Sequence, residues 1–167
     1  MEIRTIAPFL DYWSSVRGRT RKVIANIPAD RIDWTYASGA FTLGDLARHL
    51  ATIERYMYAE TVAGRPSSYP GCDRSLAPGK EDVIALMDRL DAESIEIFRT
   101  LTDEDLQKKC VTPAGVSITI WKWLRAMVEH EAHHRGQIFM MLAMIGVKSQ
   151  PLYGLTEEEV RAGSVSH

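Results

Sequence analysis

Apolar residues recur at helical spacing over four long stretches, and turn-forming residues separate them. Phe9, Trp13, Val16, Val23 and Ile27 approximate one stripe and predict a helix from about Pro8 to Asn26, ended by Pro28. Residues 28–41, with Asp, Ser and Gly, read as a loop in which Ile32, Trp34 and Tyr36 pack back on the core. A second helix starts at Thr42-Leu-Gly-Asp45, a capping-box variant in which the threonine oxygen satisfies an orphan amide. Its inner stripe is Leu46, Leu50, Ile53 and Met57, and it runs to about Val62, before Gly64-Arg-Pro66. After a Pro/Gly/Ser loop from Gly64 to Gly79, a third helix spans about Glu81 to Leu101, and another loop ends at Pro113-Ala-Gly115. The fourth helix, about Ser117 to Ile145, is the longest, roughly 40 Å if straight, and Gly146 stops it. A last capping box, Thr156-Glu-Glu-Glu159, predicts a short C-terminal helix.

No internal repeat is evident, and no alternation is long enough to build a sheet. The pattern predicts an all-α protein: one domain over residues 1–167, built as a four-helix bundle with a short C-terminal helix. The long loops permit crossover connections, so an up-down-up-down order is not fixed.

Composition narrows the function classes. Hydrophobic residues are 46% and charged residues 25% of the 167, the balance of a globular chain. A net charge of -2 gives no general attraction to nucleic acid or an anionic membrane. No apolar run approaches a membrane span, and the N-terminus lacks a basic stretch leading into an apolar one; a cytoplasmic protein is the expectation. Cys72 and Cys110 lie in no CxxC or Cys-His motif and read as unpaired thiols.

The chemistry is concentrated in the histidines. Five occur, and three fall in His130-Glu-Ala-His133-His134. Residues i and i+4 share a helix face, so His130 and His134 can reach one ion. Both sit on a stripe with Trp123, Met127, Met141 and Ile145 that reads as a buried seam, with His133 on its flank. His49 falls on the inner stripe of the second helix. One such histidine alone is more often a core residue with a hydrogen-bond partner. Three change the balance: burying them unsatisfied costs about 1–3 kcal/mol each, and one divalent cation satisfies all. Three neutral ligands leave a coordination position open, which suits a reactive site and an anionic guest.

His130-Glu131-Ala-His-His134 also matches H-E-x-x-H, the helix motif of zinc peptidases whose glutamate is the general base. The extended motif fails, because Gln137 and Met140 stand where it needs glycine and a third histidine. Glu131 is thus a weak catalytic candidate, otherwise an ordinary helical residue.

Leu46-Ala-Arg-His49-Leu-Ala and Val128-Glu-His130-Glu-Ala-His-His134-Arg-Gly-Gln137 resemble the DinB-like, damage-inducible metalloprotein family, related to thiol-dependent transferases. The resemblance extends from the first helix to Pro151-Leu-Tyr153-Gly. It implies His49, His130 and His134 as ligands of zinc, nickel or iron in a four-helix bundle that is often dimeric. It also implies a small-molecule substrate, for some relatives with mycothiol, bacillithiol or glutathione in transfer or isomerisation. Two functions follow as expectations: a metal-dependent thiol S-transferase or hydrolase, or a non-catalytic metal-binding stress-response module. Nucleic acid and membrane are not expected partners; an exposed apolar helix face would favour a homodimer.

Other features have structural readings. Arg17-Gly-Arg-Thr-Arg21-Lys22 reads as a solvated basic face. Gly136 reads as a close helix approach, Arg135 and Gln137 as structural hydrogen-bonders. Trp121, Trp123, Tyr56 and Tyr153 read as packing residues that could instead line a pocket over the metal.

Overall fold

The computed structural model describes residues 2–164. Its four long helices are α1 (Ile6–Ala25), α2 (Leu43–Ile53), α3 (Lys80–Phe98) and α4 (Ile120–Met144). α2 continues through a π-helical turn, Glu54–Ala59, into a final α turn, Glu60–Val62. A short helix, α5 (Glu157–Ser164), lies near the C-terminus. α1 packs on α3 and α4, and α2 on the same two. Sequence neighbours α1 and α2 are therefore not a principal packing pair, so the chain crosses over between them. Among the described residues, no helix is long and apolar enough to cross a membrane.

Local chemistry explains the starts. Asp45 N–H donates to Thr42 Oγ1 at 3.0 Å while Thr42 N–H donates to Asp45 Oδ2 at 2.9 Å, the reciprocal box expected from sequence. Thr156 and Glu159 repeat it at α5. Ahead of α4 the structure departs from the expectation of a loop running into a helix. Ser117–Thr119 pairs antiparallel with Lys109–Val111, forming a small hairpin of strands β2 and β1, and α4 begins only at Ile120. The three-residue strands are too short to show alternation in sequence.

Apolar packing divides into two clusters along the bundle. One gathers Val23, Ile24, Leu46, Leu50, Leu90, Ile138 and Leu142; the other gathers Phe9, Trp13, Tyr58, Phe98, Leu124 and Met127. Between them, every long helix contributes buried or half-buried polar residues: Arg17 and Thr20, Thr52 and Glu54, Asp91 and Ser94, Glu131 and Arg135. Arg17 is the hub of this belt. Its guanidinium binds Glu54, reaches both Glu131 oxygens at 2.8 and 3.0 Å, and lies 3.5 Å from Asp91. Trp13 Nε1–H donates to Glu54 Oε1 at 3.2 Å. Arg135 donates to Val16 O and Thr20 Oγ1.

This belt corrects two expectations. Arg17 is not on a solvated basic face: it is 3% exposed, because it shares the inward face of α1 with Trp13, Thr20 and Ile24. Of that cluster only Gly18, Arg21 and Lys22 are exposed, with Arg21 paired to Asp88 at 2.6 Å. The buried stripe of α4 is also displaced. It runs Leu124, Met127, Glu131, Arg135, Ile138, Leu142, so His130 and His134 lie half-buried at its edge. The charges of Glu131 and Arg135 hide this stripe from a hydrophobicity pattern. In α2 the π turn has the same effect. Its wide turns advance the buried positions in steps of four, Leu50, Glu54, Tyr58, Val62, leaving Ile53 and Met57 half-buried.

Removing one partner of a buried ion pair strands the other charge, at about 3–5 kcal/mol. Arg17→Met is therefore expected to destabilise the fold by about that amount in urea unfolding. Combining it with Glu54→Gln and Glu131→Gln should recover much of the loss. Equal stability of the single variant and the parent would show that the belt carries no such weight.

Candidate metal centre

His49 on α2 meets His130 and His134 on α4 where the two helices pack. His130 Nε2 lies 3.2 Å from His49 Nε2 and 3.1 Å from His134 Nε2, and the three potential donor atoms fall within 4.8 Å of one another. Nitrogens bound to one tetrahedral cation at 2.0–2.1 Å stand about 3.4 Å apart. Small ring movements therefore suffice.

The outer nitrogens show why these rings face inward. His134 Nδ1 is 2.6 Å from Gln137 Oε1, an atom with no proton to give, so Nδ1–H donates and Nε2 presents a lone pair. His49 Nδ1 is 2.7 Å from the Tyr69 hydroxyl, which can accept its N–H in the same way. His130 can then donate to only one of the two facing lone pairs. A cation among the three satisfies every lone pair at once, so the donor set fits a divalent metal. Such outer contacts are the usual means of fixing a ligand's tautomer.

Burial keeps these imidazoles neutral. It lowers His49 to about 4 and His130 to about 3, with the neighbouring histidines adding to the shift. His134 is also lowered, chiefly by burial, with Gln137 pulling the other way. All three are half-buried, so a guest can reach them.

Tyr69 carries no motif, and the loop that presents it is held by residues flanking His49. Arg48, fully buried, donates to Cys72 O at 2.9 Å, Ala77 O at 2.8 Å and Asp45 Oδ1 at 2.7 Å. Thr52 Oγ1–H lies 2.9 Å from Gly71 O, and Ser68 N–H donates to Tyr56 O. One turn of α2 thus supplies both the candidate ligand and the fastening of the loop that orients it. Phe41, also without a motif, stacks on His49 with ring centroids 6.0 Å apart. A lone aromatic beside Ser67-Ser68 in a Pro/Gly loop was the available signal for Tyr69.

Other sequence candidates lie elsewhere. Glu131 is 2% exposed and faces Arg17, so the structure does not bring it to the trio as a free carboxylate. Gly136 permits no close helix approach, because a Cβ there would meet nothing within 4 Å; it lies open to solvent. Trp123 packs on Tyr58 at 4.7 Å and donates to Thr61 Oγ1 at 2.8 Å. Trp121 and Tyr56 are half-buried, whereas Tyr153 is 76% exposed and packs in neither core nor pocket. Arg135 and Gln137 are hydrogen-bonders, as expected.

A family model of the DinB superfamily matches residues 12–138, a span that includes all three histidines. The chain belongs to the DinB superfamily. Two Bacillus subtilis strain 168 proteins are similar to this DinB-superfamily chain over nearly their whole lengths. YjoA is 23% identical over 147 residues, 86% of this chain and 93% of its own. YrdA is 21% identical over 157 residues, 93% of this chain and 92% of its own. Among solved structures, a DinB-like protein from Bacillus cereus ATCC 10987 superposes with a TM-score of 0.75 at 20% identity. It covers 89% of this chain and 97% of its own. The crystal structure of YjoA, a DinB-like protein, gives 0.72 at 20% identity, covering 89% and 99%. These structures establish the DinB-like fold.

Two outcomes follow. Losing an outer partner of a metal-bound histidine typically costs 10–100-fold in affinity, so Gln137→Leu should weaken zinc binding by about that factor in a chelator competition. An unchanged affinity would remove Gln137 from the site. In metal-free protein, His49 and His130 stay neutral when folded but take up protons below about 6.5 when unfolded. Stability should therefore fall as pH is lowered from about 6.5 towards 4, and His49→Phe should flatten that slope in pH-dependent melts.

Proposed function

We propose that this protein is a metal-dependent enzyme of the thiol-transferase type. It would form a C–S bond between a low-molecular-weight thiol, such as mycothiol, bacillithiol or glutathione, and a small electrophile, with the thiol proton passing to solvent and the electrophile's leaving group departing as an anion. The convergence of three neutral, half-buried imidazoles on one point supports this reading most directly. A divalent ion held by His49, His130 and His134, whether zinc, nickel or iron, would supply an open position that favours the deprotonated form of a thiol or water. The chain's own residues prepare that position. Gln137 and Tyr69 hold two rings with their lone pairs inward, and the uncharged ligands leave the site attractive to an anion. Hydrolysis, with water in place of the thiol, uses the same arrangement.

One observation favours a second reading, a non-catalytic metal-binding module. The glutamate of the H-E-x-x-H stretch, Glu131, is committed to Arg17 and cannot serve as a free proton acceptor. In that case the metal would act chiefly by stabilising the packing of α2 against α4.

The two readings part in one experiment. Metal-free protein is assayed with each thiol and 1-chloro-2,4-dinitrobenzene before and after zinc, nickel or ferrous iron is added, with His134→Ala alongside. The transferase reading expects turnover only in the metal-loaded parent. A rise in melting temperature without turnover for any thiol supports the module, and turnover that persists without metal rules out the proposed chemistry.

A further inference from the structure

Beside the histidine trio, a groove of about 670 Å³ runs between the segment before α2 and the C-terminal half of α4. Its walls are Tyr36, Phe41, Leu46, Met140, Met141 and Met144. No Lys, Arg, Asp or Glu is among its lining residues; its polar side-chain atoms come from Tyr36, His133 and Gln137. Met140 and Met144 are 64% and 60% exposed, and Phe41 is 48% exposed, so an apolar surface stands open at the mouth. The candidate ligands do not line the groove, but it adjoins them through two shared side chains. Gln137 contacts His134 at 2.6 Å, and the Phe41 ring stacks on His49.

Building on the metal site proposed above, we propose that this groove takes the apolar body of an uncharged small molecule whose reacting head faces the open metal position at His49, His130 and His134. Its volume falls within the range of small-molecule sites, which are mostly apolar with a few polar groups. The methionines of α4 give the wall the adaptable, polarizable surface that accommodates varied apolar shapes. The same lining argues against the thiol as occupant. The carboxylates of glutathione or bacillithiol would find no cation here, and the hydroxyls of mycothiol would find few polar partners. The groove therefore belongs to the partner that the thiol attacks: an alkyl or aromatic electrophile. Gly136 contributes to this side too. An added side chain would project into open space on the groove wall rather than into a neighbouring helix.

Alkyl hydroxamic acids test this, because their head binds metal while the chain length is varied. Acetohydroxamate, hexanohydroxamate and decanohydroxamate are titrated into zinc-loaded protein by calorimetry. Once the chain is long enough to pass Gln137 and Phe41, affinity should rise about fourfold for each methylene buried. The decano-to-aceto ratio, internal to each variant, should fall at least tenfold in Met140→Glu, and likewise in Gly136→Leu, which fills the groove from its wall. If acetohydroxamate binds but the ratio stays near one, the groove inference fails and the metal site stands. If no hydroxamate binds protein shown to carry zinc, the open metal position fails and the inference falls with it. A steep ratio that neither variant changes would place the chain elsewhere. If Met140→Glu converts a dimer to a monomer and leaves the ratio unaltered, the face is a contact between two copies and the proposal is overturned.

Discussion

The buried guanidinium of Arg17 is the constraint on which the arrangement rests. It joins α1 to the π turn after α2 through Glu54 and to α4 through Glu131, at the level where the two apolar clusters part. Apolar packing alone tolerates sliding of one helix past another. A planar fork with fixed donor directions does not. Glu131 is the residue after His130, and Glu54 lies five positions beyond His49. The contact that ties the α2 rod to α4 through Arg17 is therefore built from residues within two turns of the candidate ligands on both helices.

The belt also shapes the field around the trio. Arg17 and Arg135 stand against Glu54, Glu131 and Asp91, and burial holds the Asp91 carboxyl above its usual range despite the pull of Arg17. The Glu131 charge works to raise His134 against the stronger lowering effect of its burial. Three uncharged ligands offer a dication no compensation of their own, and the Glu131 carboxylate behind His134 is the acid whose pull on the trio is visible. These acids lie between the helices, whereas the groove beside the trio is lined by imidazole, amide, phenol and apolar groups.

The sequence made the helical framework and the identity of the three histidines legible because both follow local rules. Capping at Thr42 and Thr156, stop signals at Pro28 and Gly146, and i, i+4 spacing of His130 and His134 act within a turn or two of chain. What it concealed was set by distant partners. Arg17 looks solvated until Glu54 and Glu131, 37 and 114 residues away, are placed against it. Tyr69 lies 20 residues from His49 and reaches it only because Arg48 and Thr52 fasten its loop. The helical seam of α4 was misplaced by one residue for the same reason, since a period count assigns charged residues to water.

The π turn at Glu54–Ala59 has a consequence for how this chain can change length. It holds more backbone per turn than the α-helix on either side, and it comes where α2 passes from one apolar cluster to the other. Deleting a single residue there would restore ideal hydrogen bonding, yet it would swing everything downstream by about 100°. Tyr58 and Val62 would turn out of the interior. The irregularity works as a phase shifter: it lets one continuous rod present differently oriented faces to its two halves, and indels are forbidden in it although the loops on either side can absorb them.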